Sequence, residues 1–198
     1  CSTSGPIFII GTAGAIMLGN KIAGALILLC HILGALINGF LYRGKKGDTP
    51  LQPPETKNKS SDNILSESMA QATLSMLAVG GYICVFNVLI DAAVNLNIIS
   101  AMTTLVPFAP DAATEALLCG IIEMTRGCAL LKYAGLTKPM TYSLAGAIIS
   151  FGGLSVLFQT ITFLGKCKIK TGTVLLQKLT QSIITFILCF ALFSIFKI

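Results

Sequence analysis

The sequence predicts an all-α, polytopic helical membrane protein with short, broken or re-entrant helices. Three observations carry this. First, 54% of the 198 residues are hydrophobic and only 11% are charged, where a soluble domain carries roughly 25% charged residues. Second, the mean hydropathy is +0.83, and the charges collect in short stretches between long apolar runs. That is the pattern of bilayer-spanning helices joined by polar loops. Third, several runs are too short to cross a membrane or carry glycine, proline or ionisable residues inside them. A soluble bundle of buried helices does not account for so many long apolar runs.

The first apolar run, Ile7 to Leu18, contains Gly11 and Gly14. At 1.5 Å per residue it covers roughly 18 Å of a ~30 Å hydrocarbon core, so it cannot span alone. Ser2, Thr3 and Ser4 precede it, followed by Gly5 and Pro6. Hydroxyls accept hydrogen bonds from the first N–H groups of a helix, and proline suits its first turn. The stretch reads as a half-helix whose N-terminus lies within the bilayer, or as an ordinary capped helix at the surface. The lack of an initiator Met points to a fragment without its upstream half. Ile22 to Leu41 is long enough to span and carries His31, Asn38 and many small residues, which let helices approach closely in lipid.

Residues 43–68 form the longest polar stretch, with Arg43, Lys45, Lys46, Lys57, Lys59 and three prolines. They read as a flexible, basic, cytoplasmic loop between a 1–42 unit and the membrane helices of 69–198. Met69 to Ile90 is a second full span. Asp91, Asn95 and Asn97 follow, then a short run from Ile98 to Phe108 ended by Pro107 and Pro110. Ala112 to Leu131 is long enough to span but holds Glu115, Glu123 and Arg126. The element 140–164 is interrupted by Gly152 and Gly153, and Thr173 to Phe196 is the last span. The loops at 132–139 and 165–172 are both basic. If both face the cytoplasm, the chain re-enters at Gly152 and Gly153; this favours a broken or re-entrant element, which is tolerated only where protein or water covers it.

Several function classes are not expected. The net charge of +6 is what basic loops between spans supply, so no nucleic-acid partner is needed. The seven cysteines form no CxxC, and His31 is the only histidine; neither a disulfide framework nor a metal site follows. No phosphate-binding loop, HExxH or GxSxG occurs, so neither an enzyme nor a cofactor is expected.

Three stretches could carry function. The opening S-T-S-G-P would aim a helix end, with its partial positive charge, at a solute held by Ser2, Thr3 and Ser4. In "GIIEMTRG", Glu123 and Arg126 are three apart and can share a helix face. An ionisable group within a span costs about 2.5–3.5 kcal/mol on insertion scales. Either the two form a structural intramembrane ion pair, or Glu123 lies on a polar pathway and binds solute or a coupling cation. In "FGGLSVLFQ", Gly152 and Gly153 permit a break, Ser155 can satisfy freed backbone groups, and Gln159 offers a donor and an acceptor. The alternative there is a glycine packing face.

These stretches, with "HILGALINGFLYR" and "MLAVGGYICVFNVL", resemble the YlbJ family of sporulation integral membrane proteins. That family is grouped with the nucleoside-recognition or Gate domain membrane proteins. The resemblance covers nearly the whole chain apart from 43–68. It implies a multi-pass protein of a bacterial cell or forespore membrane with a role in endospore formation and spore cortex assembly. Together with the breaks, it leads to the expectation of a transporter or permease for a small polar solute. The rival is a non-transporting scaffold for sporulation factors working through the 43–68 loop. The expected partners are the lipid bilayer, a small solute, and a second copy or other sporulation membrane proteins.

Overall fold

The computed structural model describes residues 3–43, 61–104, 110–164 and 171–196. All regular elements among them are helical. A π-helix (Ile7–Met17) leads into α1 (Lys21–Leu41), followed by α2 (Ser61–Asn95), α3 (Ile98–Thr103), α4 (Asp111–Ile122) and α5 (Met124–Leu131). Next come α6 (Lys138–Phe151), α7 (Gly153–Leu164) and α8 (Thr171–Phe196). Among the described residues, four stretches are long and apolar enough to cross a membrane: Lys21–Leu41, Ile64–Asn95, Lys138–Thr162 and Thr171–Phe196. The protein is an all-α integral membrane protein.

Packing follows the rule for helices in lipid, where small residues rather than bulky apolar ones make the contacts. On α1 the inward face is Ala23, Gly24, Ile27, Cys30, His31, Gly34, Ala35 and Asn38. Its large residues Leu29, Ile32, Leu36 and Phe40 point outward, where acyl chains meet them. The π-helix folds back on α1 as a hairpin closed by glycine on glycine. A Cβ on Gly14 would come within 2.5 Å of the Gly24 Cα. Asn20 makes the turn: its side-chain oxygen accepts from the N–H groups of Ile22 and Ala23 at 3.0 and 3.1 Å. The π-helix ladder is wide, with the Leu18 N–H reaching the Ala13 carbonyl five residues back at 2.9 Å.

Helix α8 packs antiparallel on α6 and on α1. Tyr142 packs on Phe193 with ring centroids 4.9 Å apart and planes tilted by 53°, and Ser150 bonds to Thr185. Thr180 bonds to Asn38 at the far end of α1. On the other side, α7 packs on α2 through Phe86 with Phe158 and Tyr82 with Thr162.

Two expectations change. The run 112–131 does not span. It breaks at Glu123, whose backbone is extended (φ −143°, ψ 120°), and α5 returns along α4. Seven residues of straight helix would separate Gly120 and Gly127 by about 10 Å. Instead a Cβ on Gly127 would collide with the Gly120 backbone and the Ala116 carbonyl. The element 138–164 is broken, since α6 ends at Phe151 and α7 starts at Gly153. Helices α6 and α7 do not pack along one another, and together they are long and apolar enough to cross a membrane. The end of the expected 43–68 loop is also helical, because α2 begins at Ser61; residues 44–60 lie outside the described residues.

Candidate functional site

Glu123 is fully buried, at the tip of the α4–α5 hairpin. Its extended backbone makes it the N-cap of α5, and its carboxylate folds onto the helix it starts. The Oε2 atom accepts the Thr125 and Arg126 backbone N–H groups, both at 2.9 Å, and the Thr125 hydroxyl. A carboxylate at a helix N-terminus is stabilised by those donors and by the helix dipole. The Oε1 atom is buried and has no hydrogen-bond partner. Buried polar atoms are rarely left so, and each such atom needs an explanation.

The expected Glu123–Arg126 ion pair is not formed. The Arg126 guanidinium turns away from the hairpin tip to Asp91 on α2, at 2.9 Å. Glu123 meets Arg126 only through the backbone N–H. The cause is the break itself: a carboxylate engaged in capping is directed along the axis of α5, while Arg126 projects from its side. Asp91 and Arg126 are partly exposed within the chain, at 56% and 39%.

Gly152 and Gly153 take left-handed backbone conformations, φ +83° and +72°, which only glycine adopts at little cost. Gly152 closes α6, donating its N–H to the Ile148 carbonyl at 2.8 Å. Gly153 lies against the hairpin tip: a Cβ there would be 3.0 Å from the Ile122 carbonyl oxygen and 3.2 Å from that of Gly120. The break in one element thus touches the break in the other. Ser155 and Gln159 are buried on α7, one turn apart, and Gln159 donates to the Ser155 hydroxyl at 3.3 Å. No hydrogen bond joins either to Glu123 among the described residues.

The opening stretch contributes differently from its expected role. Ser2 lies outside the described residues, Thr3 is exposed, and no side chain caps the π-helix, whose N-cap is Pro6 after Gly5. Ser4 acts through its backbone: its N–H donates to His31 Nε2 at 3.1 Å. That fixes the tautomer, because Nε2 as acceptor leaves the proton on Nδ1. Nδ1 then donates to the Ser150 hydroxyl at 2.8 Å, and Ser150 donates to the Thr185 hydroxyl at 2.9 Å. His31 stands at the middle of α1, ten residues or about 15 Å from either end. The start of the π-helix therefore lies level with the middle of α1.

Sequence reasoning did not single out Ser150 and Thr185, nor the buried Lys178 and Gln181. A signal was present. Lys178, Gln181 and Thr185 are spaced three and four apart on α8, a polar stripe along one face. The Gln181 Nε2 atom is buried without a partner. Beside this polar interior, an apolar groove of about 220 Å³ runs between α4, α6 and α8, bounded by Leu117, Ile121, Phe151 and Leu179. Its walls suit acyl chains or apolar side chains rather than a polar solute. No set of three or more metal-ligating side chains occurs among the described residues.

Compared with known proteins, the chain is 24% identical over 210 aligned residues to the sporulation integral membrane protein YlbJ of Bacillus subtilis (strain 168). The match covers 92% of this chain and 51% of that protein, so the chain spans about half the length of its relative. This supports a relationship to the YlbJ family. No family model matches the chain, and no solved structure does.

Proposed function

We propose that the chain forms the solute-handling part of a membrane permease that acts in endospore formation. The observation that carries the reading is the meeting of chain breaks around Glu123. The hairpin tip touches the Gly152–Gly153 break, and the start of the π-helix sits on His31, level with the middle of α1. Discontinuous helices meeting at the bilayer midplane around polar groups are the common construction of solute sites in secondary transporters. A purely structural element would have little reason to bury a carboxylate with one oxygen unfilled, at several kcal/mol of cost. Sporulation comes from the relative's name, and a contribution to the spore cortex from the family resemblance; both are part of the proposal.

In this reading Glu123 accepts a hydrogen bond or a positive charge from what is carried, and its three capping donors hold it in place. Ser155 and Gln159 lie on the path beyond the break, and access requires the α4–α5 hairpin to move against α6 and α7. The chain acts without chemistry on its solute. The test is to replace Glu123 by Gln and Gln159 by Ala in the full-length protein. Spore yield and uptake of small polar solutes into proteoliposomes are then measured at matched protein levels. Loss of both in Glu123→Gln is expected; normal spore yield and uptake in both variants would discard the reading.

A further inference from the structure

We infer that His31 is a proton-operated latch on the start of the π-helix: the neutral ring holds Ser4 in the bundle, and a proton taken up at Nε2 releases it. The inference rests on the permease reading for its purpose, naming a proton as what moves the short first helix, but the latch itself rests on printed contacts around the ring. The holding bond runs from the Ser4 N–H to Nε2, at 3.1 Å. Among the described residues it is the sole hydrogen bond from residues 3–6 to another helix. Thr3, Gly5, Pro6 and Ile7 are exposed within the chain. From Ile9 onward the π-helix is fixed: Ile9 and Ala13 are buried, and the Ile9 carbonyl oxygen lies against Gly24. One bond therefore decides whether the first turn stays on α1.

Imidazole chemistry makes this bond conditional. Nε2 accepts only while it carries no proton; protonated, it becomes a donor facing another donor. Nδ1 cannot take over, because it lies against Ser150, whose own proton goes to Thr185. The helices packed on α1 set the cost of charging the ring in place. Helix α6 brings the Ser150 hydroxyl and, about two turns away, Tyr142, which accepts from Asn20. Helix α8 brings Thr185, the Cys189 thiol and the Lys178 ammonium, which acts on His31 through space. On α1 the neighbour is Cys30, and the π-helix brings no titratable group. None of these is a carboxylate that would balance an imidazolium, and a second positive charge facing Lys178 in a dry bundle is costly. Proton uptake is therefore tied to opening. The closed form binds no proton at Nε2, whereas a ring released to water titrates as an ordinary histidine near about 6.5. The hold is complete above that pH and weakens as pH falls, by up to about tenfold per unit in the closed-to-open ratio.

The test is hydrogen–deuterium exchange of the full-length protein in nanodiscs between about pH 5 and pH 8. Protection of the peptide covering 3–9 is corrected for the intrinsic pH dependence of exchange. It is expected to fall below about pH 6.5 by up to about tenfold per unit, while peptides of α6 and α8 keep theirs. His31→Gln should remove the pH dependence, because an amide takes up no proton in this range. Protection of 3–9 that ignores pH overturns the latch, as does a fall that survives His31→Gln. A fall shared with α6 and α8 overturns it too, since the whole bundle then opens. The wild-type profile decides even if the variant fails to fold. Solute uptake without pH-dependent opening removes the latch and leaves the permease reading. Opening in a protein that carries no solute does the reverse.

Discussion

Residues 111–131 and 138–164 invite comparison because both are apolar runs broken near the middle, yet the arms of one pack on each other and those of the other do not. The first carries more ionisable residues than the second, but charge content does not say how the arms of a break pack. The difference lies in what flanks each break. Around Glu123, Gly120 and Gly127 face each other with no side chain between them, so two helices can close to backbone contact. The carboxylate supplies the cap that the new helix needs. Around Gly152 and Gly153 no such glycine seam exists on α6 and α7. Two left-handed residues redirect the axis, and α7 finds its partners on α2 and α4. A break becomes a hairpin when its arms can touch, and a kink when other helices take them.

The largest expected effect comes from filling the hairpin seam. Gly127→Leu would force a branched side chain into the Gly120 backbone, so it should lower accumulation strongly and destabilise the protein by at least about 3 kcal/mol, read by thermal unfolding in detergent. Retention of normal stability would mean the arms are not packed together. Next is Gly152→Ala, which asks an L-residue to hold φ +83° and should cost about 1–2 kcal/mol. It tests the kink without touching the hairpin.

The topological half of the comparison has its own measurement. Single cysteines introduced by Tyr133→Cys and Gly172→Cys in a cysteine-free background should label from opposite faces of the membrane. Labelling from one face would support the re-entrant path for 138–164. The smallest effect is expected from Asp91→Asn. Its pair with Arg126 is partly exposed, and such pairs couple by about 0.2–1 kcal/mol, measurable by a double-mutant cycle with Arg126→Gln.

Much of this arrangement was legible beforehand. The short first run and the break at Gly152 and Gly153 follow from run length and glycine placement. The Glu123–Arg126 pair did not survive, since i, i+3 spacing makes neighbours only when both residues lie within one helix. Glu123 stands outside α5 as its cap. The role of Ser4 was misjudged for a related reason: hydroxyls suggested side-chain capping, while the backbone N–H is the group in use.

The sequence by itself determined the helical membrane class and the positions at which helices must stop. Both are local: hydropathy over about 20 residues sets a span, and glycine, proline or a buried charge sets a break. Only the tertiary structure decided which break reverses the chain, which partner Arg126 takes, and that Ser4, His31, Ser150 and Thr185 form one chain of hydrogen bonds. These depend on which surfaces meet across more than 100 residues of sequence, as with His31 and Ser150. Close packing of small residues settles that matter, and no local pattern encodes it.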